Sequence, residues 1–199
     1  MRAYLAYWDA GGIILDISNP NDVHMLGRTP YPVGSEGDTH SAVPNAAGTL
    51  LVTTDEDFSP SELKAAGEPK LVGDTWGFAR IWGIANPSSP IHLSDFATQH
   101  ALTNKTDGFY SAHNPEIVGD TLCLSWYSDG LRIVDISNLS APREIGFFRE
   151  KPTLDPTGFF IAFGAGEHPI AFDWGVHVDG GRIYLSDINF GLYIVEWTR

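Results

Sequence analysis

The side chains of this 199-residue chain that could do chemistry are its seven histidines and one dense run of acids. His113 lies eight residues before Thr121 and His40 nine before Thr49, so one inserted residue makes the two equivalent. Trp174 takes the corresponding place further along, with His177 three residues beyond it. Imidazoles joined by carboxylates from Asp38, Asp55, Glu56 or Asp57 would suit a divalent transition metal. The competing reading is structural: a histidine repeated at strand starts caps backbone groups and packs. No His-Glu-x-x-His spacing is present to favour the metal. Thr53-Thr54-Asp55-Glu56-Asp57 reads either as an oxygen-rich cation loop or as a solvated turn, and it lacks the frame of a helix-flanked calcium loop. His24, His92, His100 and His168 stand in ordinary strand or loop contexts.

Other chemistries find no motif. There is no Gly-x-Ser-x-Gly elbow, no phosphate-cradling Gly-x-x-x-x-Gly-Lys loop and no dinucleotide fingerprint. Cys123 is the single cysteine, set in the apolar run Leu122-Cys123-Leu124, and reads as a small buried side chain. A net charge of −13 argues against nucleic acid and anionic lipid, which need clustered Lys and Arg. No apolar run approaches the length of a transmembrane segment, and the start of the chain lacks the pattern of a signal peptide.

The elements that must position these residues are written as a repeat. Leu5 to Asn19, Leu124 to Asn138 and Leu185 to Trp197 align without a gap, and Gly77 to Asn86 is a weaker copy with Gly83 in place of the recurring acid. Each copy reads as a strand, a glycine turn (Gly11, Gly130, Gly191) and a second strand rich in β-branched residues. Asn19-Pro20 and Asn86-Pro87 end that strand, because proline cannot donate to a ladder. Third strands are expected over 23–28, 91–96 and 143–148, and first strands over 40–45, 113–118 and 174–179. Asp16, Asp135 and Glu196 recur at the strand end, where a carboxylate accepts turn or neighbouring N–H groups.

Leu131 and Ile133 point to one face and Val134 and Ile136 to the other, so the sheet needs cover on both sides. Stacked blades supply it. The expected fold is all-β: a β-propeller of four-stranded antiparallel blades, partial at about three and a half blades, in one domain over 1–199. Insertions fall near 57–75 and 151–172, and the best helix candidate, Ser59 to Ala66, is short. In such a ring the innermost strands line a channel, so His40 and His113 would face each other at its mouth.

Gly130-Leu131-Arg132-Ile133-Val134-Asp135-Ile136-Ser137 closely resembles the signature of the LVIVD-repeat proteins. Ile14-Leu15-Asp16-Ile17-Ser18 and Leu192-Tyr193-Ile194-Val195-Glu196 look like the same unit, and the match extends to His113-Asn114 and Ser186-Asp187-Ile188. The resemblance implies bacterial or archaeal β-propellers, secreted or attached to the surface, without a common reaction. The first copy lacks its innermost strand and the last its outermost. Three arrangements answer this: a piece of a longer propeller (the favoured one), closure between the termini, or a homo-oligomer that completes the ring.

The leading expectation is a non-enzymatic extracellular or cell-surface binding platform for a protein, glycan or surface component. One alternative is a metal-dependent enzyme with its site among His40, His113, His177, Asp38, Asp55 and Glu56; another is a purely structural module of a larger surface protein.

Overall fold

The computed structural model describes residues 1–31, 37–57, 75–103, 107–151 and 170–197; the helix read over 59–66 lies outside them, as do most of both insertions. Fourteen strands form four antiparallel sheets. Blade I holds β1 (Arg2–Ala6), β2 (Gly12–Asp16) and β3 (His24–Arg28). Blade II holds β4 (Thr39–Pro44), β5 (Leu50–Asp55), β6 (Ala79–Gly83) and β7 (Ile91–Phe96). Blade III holds β8 (Pro115–Val118), β9 (Thr121–Trp126), β10 (Gly130–Asp135) and β11 (Arg143–Phe148). Blade IV holds β12 (Asp173–Asp179), β13 (Arg182–Asp187) and β14 (Gly191–Glu196). Each blade is a meander of sequential neighbours, and no helix occurs among the described residues. The expected all-β propeller architecture is therefore present, with the first blade short of its inner strand and the last short of its outer one.

The two-faced strand explains the stacking. Val134 and Ile136 join Leu122 and Leu124 in a core shared with Val52, Ala79 and Ile81 of blade II. Leu131, Ile133 and Cys123, from the opposite face, pack with Ile183 and Leu185 of blade IV. A third cluster, Ile14, Leu51, Trp82 and Ile84, joins blade I to blade II. Each blade thus covers its sequential neighbour's apolar face, and area removed from water is what holds the stacked blades together. Buried indoles keep a polar handle satisfied: Trp82 Nε1 donates to Thr53 Oγ1 at 2.9 Å and Trp126 Nε1 to the Tyr110 carbonyl at 2.5 Å.

The turn glycines carry positive φ, +81° at Gly11 and Gly130 and +91° at Gly191. The recurring acids mostly act as expected. Asp16 Oδ1 accepts the Ser18 N–H at 2.8 Å and Asp135 Oδ1 the Ser137 N–H at 2.9 Å, closing the strand ends. Glu196 departs from this: lying across the ladder from Arg182, it takes that residue's Nε at 3.3 Å instead.

Candidate functional site

Between blades the most extensive strand contacts are β1 with β4, β4 with β8, and β8 and β9 with β12, so the first strands of blades II, III and IV face the centre. Near its start each of these carries a β-bulge. The β4–β5 register shifts between Thr39 and Ser41, leaving His40 as the extra residue. The β12–β13 register shifts between Asp173 and Gly175, which does the same to Trp174. In blade III His113 and Asn114 both oppose Ser125, with His113 N–H donating to its carbonyl at 3.0 Å and the Asn114 carbonyl accepting its N–H at 2.9 Å. A bulge re-aims one side chain out of the pleat. Here it aims three equivalent ones at each other: the His40 and His113 rings are 4.5 Å apart, and those of His113 and Trp174 4.2 Å.

A second set of equivalent positions follows the next strand. Glu56 succeeds Asp55 at the end of β5, Tyr127 succeeds Trp126 at the end of β9, and Trp8 aligns with Tyr127 in the repeat. These fill the spaces between the bulge residues. His40 Nδ1 lies 2.8 Å from Glu56 Oε2, and His113 Nε2 lies 3.7 Å from Glu56 Oε1. Tyr127 donates its hydroxyl to Glu56 Oε1, and its ring lies 5.1 Å from that of His113. Trp8 meets His40 edge-on at 6.0 Å.

His113 is held in one tautomer. Its Nδ1–H donates to the Trp174 carbonyl, which also takes Asn114 Nδ2 at 3.1 Å and Ser125 Oγ at 3.0 Å. The lone pair therefore sits on Nε2, which is buried and has no hydrogen-bond partner. Burial, with His40 beside it, pushes the His113 pKa down to about 4, so the ring is neutral at pH 7. Burial pushes Glu56 the other way, but hydrogen bonds from His40 and Tyr127 outweigh it and hold its carboxyl below the ordinary value. A neutral imidazole and an ionised carboxylate are the forms a metal takes. One ring nitrogen from each histidine and one Glu56 oxygen lie within 4.8 Å of one another.

The other expected site residues are placed elsewhere. Asp55 faces away from the histidines, bonded to Arg80 Nε at 2.7 Å and Tyr31 at 2.6 Å, with Arg80 stacked over the Phe78 ring at 4.4 Å. Asp38 contributes its backbone carbonyl, which receives the Glu56 N–H at 2.8 Å. His177, three residues past the bulge, is well exposed and pairs with Glu116 at 3.1 Å. Trp8 and Tyr127 belong to the centre although the sequence reading did not select them; the gap-free repeat alignment already paired them. Cys123 is buried as expected, and burial raises its thiol to about 12.

The LVIVD repeat model matches residues 3–29 and 112–149, which span most of blade I and the whole of blade III. No curated protein matches the chain. Among solved structures it is similar to the β-propeller domain of Myceliophteria thermophila Cps50 (Swd1), at 11% identity with a TM-score of 0.48. That similarity covers 100% of this chain, which spans 58% of the other. The chain thus carries LVIVD repeats in two of its blades, and the same meander is present in all four sheets.

Proposed function

We propose that this protein is a ligand-binding propeller module whose ligand seats on a divalent transition metal held by His40, Glu56 and His113. The observation that carries the reading is His113 Nε2, a buried lone pair with no donor, set beside an ionised carboxylate and a second imidazole. A buried acceptor left unmatched costs about 1–3 kcal/mol, and a metal ion would match it. Three protein ligands leave a fourth position of a tetrahedral ion open to an incoming group. Trp8 and Trp174, half exposed beside the histidines, offer aromatic faces on which a sugar ring or an apolar side chain can stack. This supports a protein, glycan or surface component as partner. The resemblance of the repeat to secreted and surface-attached propellers supports an extracellular setting.

Titration of the purified chain with cobalt, followed by its visible absorption, tests the centre. The reading expects one ion bound per chain, displaced by zinc and lost in His113→Ala. A protein that binds no cobalt or zinc, or whose binding survives His113→Ala, overturns it. A glycan or peptide screen run with and without the metal then identifies the ligand class.

A further inference from the structure

A second cluster lies where blade III meets blade IV. Glu150 follows β11, Asp173 opens β12 and Asp187 closes β13, and their carboxylates come within 4.8 Å of one another. All three are buried, at 6%, 0% and 4% exposure. Asp173 and Asp187 are direct partners in the β12–β13 ladder, where like charges repel.

Asp187 is committed to the backbone. Its Oδ1 accepts the N–H groups of Asn189 at 2.6 Å and Phe190 at 2.7 Å, and its Oδ2 accepts that of Phe172. Glu150 and Asp173 are different: none of their four carboxylate oxygens has a hydrogen-bond partner. Asn189, on the same turn as Asp187, also keeps a buried, unpartnered Oδ1.

No Lys or Arg pairs with the three acids among the described residues. Arg149 turns to Asp129 at 3.9 Å, and Lys151 is exposed. Residues 152–169 contain neither Lys nor Arg. Three carboxylates cannot all ionise this close in a low-dielectric interior without a compensating charge. Burial accordingly raises Glu150 to about 7 and lifts Asp173 well above the ordinary range.

We infer that Glu150, Asp173 and Asp187 form a structural site for a hard divalent cation of the calcium class, which pins blade IV to blade III. Oxygens bound at about 2.4 Å around one ion stand roughly 3.4 Å apart as neighbours and about 4.8 Å apart when opposite, and the three carboxylates lie within that larger distance of one another. An all-oxygen donor set selects calcium, magnesium or manganese over zinc, so this site and the histidine centre take different ions. The inference does not rest on the histidine centre.

The test is calorimetric titration of the full chain with calcium after chelator treatment, alongside thermal unfolding. One calcium bound per chain, with a raised Tm, is expected. Both effects should vanish in Asp173→Asn and in Glu150→Gln, and persist in His113→Ala. If either amide variant fails to fold, the other gives the same reading, since each removes one ligand charge. No stoichiometric binding of calcium, magnesium or manganese overturns the inference in favour of carboxyls neutralised by protons. Binding unchanged in both amide variants overturns it equally.

Discussion

His40 and His113 occupy the same β-bulge of successive blades, and the chain brings their rings to 4.5 Å across the blade boundary with Glu56 between them. One local device, repeated, therefore builds a centre that no single blade contains.

Tyr127 orients that centre through its hydroxyl on Glu56. Removing it in Tyr127→Phe leaves the ring packing and takes away one donor to the carboxylate. Cobalt affinity should fall about 10–100-fold, the usual cost of losing a partner behind a metal ligand. Competition against a chelator of known affinity measures it, with unchanged thermal stability as the control for folding.

Two glycines separate backbone strain from steric overlap. Gly130 and Gly191 both have positive φ, but a Cβ at Gly130 would meet the Phe148 carbonyl oxygen at 2.2 Å, whereas nothing lies within 4 Å of one at Gly191. Gly191→Ala should cost about 1–2 kcal/mol, the strain alone. Gly130→Ala should cost clearly more, because β10 and β11 must part to admit the methyl group. Denaturant unfolding of both variants ranks them.

Cys123 should be silent in the native protein. With its thiol raised to about 12 by burial, the reactive thiolate is scarce at pH 8. An aromatic disulfide reagent should label no thiol in the folded chain and one per chain in denaturant.

The acids between blades III and IV predict a pH dependence in chelator. Glu150, raised to about 7, binds a proton more tightly folded than unfolded, so its contribution is full below pH 4 and is lost as pH rises through 7. His113, lowered to about 4, acts with the opposite sign, its contribution full above pH 6.5 and lost as pH falls towards 4. The difference between wild type and Glu150→Gln isolates the first effect. Relative to Glu150→Gln, the wild type should lose stability between pH 5 and pH 7.5, read by thermal unfolding.

Local patterning carried most of the architecture. Strands expected over 91–96 and 143–148 coincide with β7 (Ile91–Phe96) and β11 (Arg143–Phe148), since proline stops and β-branched runs act within a few residues. Cover on both faces of Leu131 to Ile136 was legible for the same reason: alternation along a strand states which sides are apolar. The equivalence of His40, His113 and Trp174 followed from counting between repeats.

Tertiary structure alone decided which carboxylates join them. Asp55 and Glu56 are adjacent in sequence, yet successive strand-end residues point oppositely, so one reaches Arg80 and the other the histidines. Tyr127 enters from the next blade, and Glu150 meets Asp173 and Asp187 only because blade IV stacks on blade III. Such meetings depend on the stacking of separate sheets, a long-range relation that residue order constrains but does not spell out.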